Sequence, residues 1–232
     1  MKKFFTLIAT VAMATSMNAQ GTYAVQEGDN VKAGDQITTV ENITLTYMEK
    51  DGTAYAAVKK QTNWADADFN AYVCGKNNGK LVSGAEPTGS VYKFETSKAG
   101  ALTVGVQLNA NKGFHILDAE FAEVAPASYN LPAAKDGDSQ EFTQNEKNEN
   151  IIAAKSNGTV TFSVAEGGTY YVLAAGTKMG FFGFKYEAGT STGISSIEAA
   201  SAQHGKTYNM AGQQVSGSFK GLVIKNGKKF VK

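Results

Sequence analysis

Residues 158–187, GTVTFSVAEGGTYYVLAAGTKMGFFGFKYE, decide the predicted fold of this chain. Apolar and hydroxyl side chains alternate over 160–164, with the period of two that is typical of a strand with one buried face. Residues 169–175 are apolar at almost every position, which indicates a central strand covered on both faces. Aromatic side chains alternate again over 181–186. With glycines at both turns, the stretch predicts three consecutive strands that form a meander.

The rest of the body is predicted to consist of similar hairpins. The segment ITLTY at 43–47 alternates cleanly, and Asp51-Gly52 is a strong hairpin turn signal. We therefore expect residues 54–59 to return as the partner strand of 43–47. Residues 91–95 and 101–108 predict a second pair of adjacent strands, with a tight turn between them.

These short strands, separated by Gly, Asn and Asp turns, predict an all-β fold. No long segment shows the 3.6-residue period of an amphipathic helix. We expect an antiparallel, jelly-roll-like β-sandwich over residues 20–188. A short Gly/Ser/Thr-rich linker at 189–193 precedes a small β module at 194–232.

The first nineteen residues have the pattern of a signal peptide. Lys2 and Lys3 form the charged start, residues 4–13 form a short apolar run, and cleavage is predicted before Gln20. The apolar run is too short to cross a bilayer as a mature helix, and no other stretch approaches that length. We expect the mature chain to be secreted or held at the outer-membrane surface.

The cysteine content, the type of basic residue and the distribution of charge exclude further classes of protein. The one cysteine, Cys74, excludes an intramolecular disulfide and is interpreted as a small buried apolar side chain. All 22 basic residues are lysine, which argues against a nucleic-acid reader because base and phosphate contacts rely on arginine. Residues 20–193 carry a net charge of −6 and residues 194–232 carry +5. The basic tail could meet an anionic surface or simply be solvated.

Five segments of the body have a recognisable pattern: SVYKFE at 90–95, GALTV at 100–104, LNANK at 108–112, GTYYV at 168–172 and GFFGF at 180–184. They resemble β-sandwich modules in secreted proteins of the Bacteroidetes phylum. The resemblance covers roughly residues 43–187, and it implies a carbohydrate-binding-like role.

The tail contains the segments YNMAGQQV at 208–215 and KGLVIKNGKK at 220–229. With them, the tail resembles the C-terminal sorting domains of Bacteroidetes secreted proteins. It implies passage across the outer membrane and attachment at the cell surface, with the secretion machinery as a partner. From the residues themselves, Asn226-Gly227 predicts a type I′ hairpin between 222–224 and 230–231.

No residue grouping predicts catalysis or a cofactor. His115 and His204 are the only histidines, and one lies in each module, so we interpret His115 as a strand-surface residue. Asp66 and Asp68 could offer oxygens to calcium, but they lack the glycine and glutamate of an EF-hand loop. The simpler interpretation is that Asn63 caps a short helical turn and that the two aspartates lie at the start of this turn, where negative charge is favourable.

Two groups of residues are predicted to contact a sugar, because sugar binding combines flat aromatic faces with polar side chains. The first group is Trp64, Asn63, Asp66 and Tyr72, and the second is Lys178 and Phe181. Core packing is the alternative for the three aromatic residues.

The leading hypothesis is a secreted, surface-displayed protein that binds a polysaccharide or surface glycan without cleaving it. A structural or adhesive surface protein that meets other proteins through sheet edges is the alternative. An unrecognised polysaccharide hydrolase is a third, because two distant carboxylates need no sequence motif.

Overall fold

The computed structural model describes residues 20–49, 55 and 58–189, together with four short strands between residues 207 and 231. The chain divides into two compact units, Met1–Thr190 and Ser191–Lys232. All regular structure in the described ranges is β. No helix among these residues is long and apolar enough to cross a membrane. The predicted signal peptide and residues 190–193 of the predicted linker lie outside the described residues.

The first unit is built from short strands that follow one another with brief connections. In chain order they are β1 Gln20–Ala24, β2 Gln36–Ile37, β3 Ile43–Met48, β4 Lys59–Lys60, β5 Ala71–Cys74, β6 Lys80–Val82, β7 Ala85–Thr88, β8 Val91–Thr96, β9 Gly100–Leu108, β10 Phe114–Leu117, β11 Ser128–Asn130, β12 Thr143–Gln144, β13 Asn150–Ile151, β14 Ser156–Val164, β15 Thr169–Ala174 and β16 Gly180–Ala188.

Two seven-stranded antiparallel sheets form the sandwich. Sheet I has the order β11-β14-β9-β16-β5-β4, and β1 pairs with β16. Sheet II has the order β12-β13-β10-β15-β8-β3-β2. Strands β6 and β7 form a separate hairpin. The predicted all-β sandwich is confirmed.

Aromatic side chains from both sheets fill the space between them. The rings of Tyr92 on sheet II and Phe181 on sheet I stack with centroids 4.4 Å apart. Phe94 meets Phe184 edge-on at 5.4 Å. The buried Tyr92 hydroxyl donates to the Met179 carbonyl at 3.0 Å, which satisfies its polar end inside the core.

The three strands predicted over residues 158–187 exist, but the predicted meander is wrong. β14 and β16 lie in sheet I, where both pair with β9, and β15 lies between β8 and β10 of sheet II. Each turn is therefore an arch that carries the chain from one sheet to the other. The stretch contributes to both halves of the sandwich and holds them together.

Both predicted hairpins of the body are wrong for the same reason. β3 pairs with β8 and β2, whereas Lys59 and Lys60 pair with Tyr72 and Ala71 on β5. β8 and β9 also lie in different sheets. Asp51-Gly52 lies outside the described residues.

β16 contains a bulge that changes which of its side chains face the core. The register with β9 shifts between Phe181 and Gly183. Phe181 and Phe184 consequently both enter the core between the sheets, while Phe182 packs on the outer face of sheet I. Gly183 has φ 135, and the Tyr23 carbonyl of β1 lies against the position of a Cβ.

The second unit contains a four-stranded antiparallel sheet in the order β18-β17-β19-β20. The strands are β17 Thr207–Asn209, β18 Gln214–Val215, β19 Leu222–Lys225 and β20 Lys228–Val231. β19 pairs with β20, and Lys225 is opposite Lys228. Asn226-Gly227, the predicted turn, lies outside the described residues.

Candidate functional site

Residues 61–70, the Trp64 loop, leave β4 and return to β5 across the outer face of sheet I. Two backbone hydrogen bonds close its neck: the Gln61 amide donates to the Asn70 carbonyl at 3.0 Å, and the Asn63 amide donates to the Phe69 carbonyl at 2.8 Å. The predicted helical turn is wrong. Asn63 Oδ1 instead accepts from the Ala65 amide, in a local side-chain turn.

The tip of the Trp64 loop reaches β14. The Trp64 amide donates to the Asn157 carbonyl at 2.9 Å, and Asn63 Nδ2 donates to the Gly158 carbonyl at 2.8 Å. Since β9 and β16 separate β14 from β5 in the sheet, the loop spans much of this face.

Lys185 of β16 fastens the far side of the loop. Its Nζ lies 2.5 Å from Asp66 Oδ2 and 2.7 Å from Asp68 Oδ2, and 5.5 Å from the centroid of the Phe69 ring. Burial lowers the pKa of Lys185, but hydrogen bonds and charge from the two aspartates outweigh it and raise that pKa. The lysine cation thus takes the carboxylate oxygens that calcium would need.

An aromatic cluster separates the loop from the sheet. Phe69, Tyr72 and Phe182 pack together, and the Tyr72 and Phe182 ring centroids are 5.4 Å apart. Phe69 lies over Gly105 of β9, where a Cβ would come within 2.7 Å of the ring. Glycine at this position lets the ring lie directly on the backbone.

Three amide side chains form a polar row beside the loop. Gln107 Nε2 donates to Gln61 Oε1 at 2.9 Å and to Asn157 Oδ1 at 3.0 Å. Among the described residues, neither Gln61 Nε2 nor Gln107 Oε1 has a hydrogen-bond partner. The row therefore keeps one donor group and one acceptor atom for a ligand.

Trp64 is an aromatic residue of this face that the core does not enclose. Its side chain is half-buried, and its indole N–H has no acceptor in the part of the chain that the structure describes. The backbone on both sides is fixed by the bonds to Asn157 and Gly158. The arrangement can offer a flat ring and a free donor without further ordering of the loop.

The structure separates the predicted site residues by role. Asn63 and Tyr72 are buried at 1% and 6% exposure, so they support the loop from below. Asp66 is bound by Lys185. Lys178 is exposed on the turn before β16, and Phe181 is fully buried in the core. No hydrogen bond, ion pair or ring contact among the described residues joins these last two to Trp64.

Two further expectations need correction. His115 is not a surface side chain: it is 3% exposed beneath two glutamates. Cys74 is half-buried rather than fully enclosed.

A surface cavity lies away from the Trp64 loop. It measures about 380 Å³ between residues 38–44 and 95–97, and Glu41 and Glu95 both line it. Glu95 is exposed and lies 3.4 Å from Lys93 Nζ. Within the described ranges, no group of three or more acidic, histidine or cysteine side chains could hold a metal ion.

Sequence reasoning missed the amide row and Lys185. Gln107 carried a usable signal, because it is, with Thr103, one of two polar side chains on the phase of β9 opposite the apolar core phase. Gln61 and Asn157 carried none, since their proximity depends on strand order.

No protein-family model and no curated protein matches the chain.

Proposed function

We propose that the chain is a secreted, surface-displayed protein that binds glycan without cleaving it, and that the Trp64 loop is its contact surface. One observation carries the proposal: the only tryptophan of the chain is half-buried on a loop held at both ends and at its tip, and its indole N–H has no acceptor among the described residues.

The chemistry of this face matches that of a sugar. A pyranose ring offers an apolar C–H face to an aromatic ring and hydroxyls that both donate and accept hydrogen bonds. Trp64 supplies the ring, and the amide row supplies Gln61 Nε2 as a donor and Gln107 Oε1 as an acceptor, neither of which is paired with another described residue. Lys185 offsets only one of the two negative charges of Asp66 and Asp68. The negative charge that remains favours a neutral polysaccharide over an acidic one.

Export is supported by the start of the fold. β1 begins at Gln20, the residue that follows the predicted cleavage site. The resemblance of residues 208–229 to sorting domains supports display at the cell surface, with the secretion machinery as a second partner.

Replacing Trp64 tests the sugar site. Affinity gel electrophoresis against a panel of neutral polysaccharides is expected to show retardation of the wild-type chain by at least one of them. Trp64→Ala should weaken binding about tenfold, since it removes the stacking face, and Trp64→Phe should retain part of it. Lys98→Ala, an exposed lysine outside both groups of predicted sugar contacts, is the surface control and should bind like the wild type.

Equal binding by Trp64→Ala and the wild type, with both folded by circular dichroism, would overturn the site. If no polysaccharide retards the wild-type chain, the glycan proposal itself is wrong. Release of reducing ends from the same panel would instead favour the hydrolase alternative, with Glu41 and Glu95 as the residues to replace first.

The adhesive alternative gains little support from the sheet edges. β4, an edge strand of sheet I, consists only of the exposed Lys59 and Lys60. Edge lysines oppose pairing with another chain. β2, an edge of sheet II, is also only two residues long.

A further inference from the structure

His115 lies on the outer face of sheet II with carboxylates on both sides of its ring. Its Nδ1 is 2.5 Å from Glu123 Oε1, and its Nε2 is 3.8 Å from Glu149 Oε1. Nε2 is buried and has no hydrogen-bond partner within the described part of the chain. Because the two glutamates face different nitrogens, they cannot bind one metal ion together with this histidine.

The two glutamates belong to different connections. Glu123 lies in residues 118–127, which join β10 through the hydrogen bond from the Val124 amide to the Ile116 carbonyl at 2.8 Å. Glu149 lies in residues 145–149, just before β13, and its Oε2 accepts from Asn145 Nδ2 at 2.6 Å. On the third side, β15 places the uncharged Leu173 opposite His115.

The 118–127 connection contains backbone strain. Phe121 has φ 62, a left-handed conformation that is unfavourable for a bulky side chain. Its ring packs on Tyr171 with centroids 5.7 Å apart, over the apolar cluster that includes Val91, Leu117 and Leu173. Contacts between this connection and sheet II must therefore offset the free-energy cost of the backbone strain.

We propose that His115, Glu123 and Glu149 form a proton-dependent latch that fastens residues 118–127 and 145–149 to sheet II. A neutral imidazole has one donor, so when Nδ1–H donates to Glu123, the Nε2 lone pair faces the Glu149 carboxylate, and both are acceptors. A protonated imidazole donates from both nitrogens, and a small approach of Glu149 completes the second bond.

The direction of the pH effect follows from this geometry. Imidazole takes up a proton in water at about pH 6 to 7. The folded state gains a donor for Glu149 on protonation, so the latch tightens as the pH falls and loosens as it rises.

Hydrogen exchange measured by mass spectrometry tests the latch. After correction for intrinsic exchange, protection over 118–127 and 145–149 should be about tenfold higher at about pH 5.5 than at about pH 7.5. The same rise is expected for His204→Gln, which leaves His115 as the only histidine. It should be absent in His115→Gln and much reduced in Glu149→Gln.

A nitrogen-15 spectrum of the wild-type imidazole gives an independent measurement that requires no variant. It should show both ring nitrogens of His115 protonated at the acidic pH and one at the higher pH. The proposal is overturned if protection is the same at both pH values, if it changes in the opposite direction, or if His115→Gln retains the full change.

Discussion

At the scale of single residues, the hydroxyls of the core tyrosines set how the protein responds to alkali. The pKa values of seven tyrosines in the described part are raised, in each case chiefly by burial: Tyr23, Tyr47, Tyr55, Tyr92, Tyr129, Tyr171 and Tyr186. For Tyr171, burial and then the hydrogen bond and charge of Glu86 raise the pKa to about 12. A phenolate would cost more in these places than in water.

Alkali is therefore expected to unfold the sandwich. An unfolded tyrosine ionises at about pH 10, whereas these keep their protons to higher pH when folded. The stability that they contribute is complete below about pH 10 and falls as the pH rises toward 12. Absorbance of phenolate, followed together with far-ultraviolet circular dichroism, should show buried tyrosines ionising in step with loss of the sheets. Full ionisation near pH 10 with intact sheets would contradict this expectation.

The aromatic residues show which side-chain positions cannot be predicted from the sequence. Phe181 and Trp64 were both plausible sugar contacts, yet Phe181 stacks on Tyr92 inside the core and Trp64 stays half-exposed. Phe181 enters the core because the bulge in β16 shifts the side-chain phase of that strand, whereas Trp64 lies in a loop outside the strands. Periodicity identifies an aromatic strand but does not indicate a one-residue change of face.

At the scale of elements, the bulge in β16 also marks a change of partner. Before it, Gly180 and Phe181 pair with β5, and after it, residues 183–187 pair with β1. Gly183 permits the change because its backbone lies in a conformation that favours glycine and leaves room for the Tyr23 carbonyl.

Gly183→Ala should separate β1 from β16. A Cβ at this position is strained at φ 135 and meets the backbone of β1, so we expect a loss of stability of about 2 kcal/mol or more. Urea unfolding measures the loss, and hydrogen exchange should show it concentrated in residues 20–24. Gly167→Ala, whose Cβ would meet nothing within 4 Å although its φ is 66, controls for the backbone strain alone. Equal losses in the two variants would show that the contact with β1 contributes nothing.

Strand positions were predictable, whereas strand partners were not. The alternation over residues 43–47 correctly marks a strand and its buried face. The turn at 165–168 has the composition of a hairpin, but contacts distant in sequence make it an arch: Thr96 Oγ1 donates to the Ala165 carbonyl at 2.6 Å. Local sequence specifies the bend, and only the assembled core determines which sheet the next strand joins.

At the scale of the whole molecule, the sign of the net charge changes in the same region where the chain divides into its two units. The acidic body carries the seven-stranded sheets, and the basic tail carries a four-stranded sheet of its own. The tail's composition and motifs were visible in the sequence, as was the position of its last hairpin, β19 and β20.

Deleting residues 194–232 is expected to abolish display without unfolding the body. Labelling of intact cells should fall to background, and the shortened chain should appear in the medium with the circular dichroism of a β protein. A matched variant, Lys228→Gln with Lys229→Gln, tests whether the tail acts through charge: retained display would indicate recognition of its folded shape. Undiminished labelling after deletion would reject the sorting role.

The pairing of β1 with β16 has a consequence for the order in which the fold is completed. Gln20 is opposite Glu187, so the first and last strands of the sandwich are neighbours in sheet I. During synthesis, β1 cannot pair until β16, the last strand of the domain, has emerged. Pairing between strands so distant in sequence slows folding. A chain that completes its fold late stays unfolded for longer. Late folding therefore suits the proposed export, because the chain can cross the membrane before it folds. The adjacent ends also make the domain suitable for circular permutation.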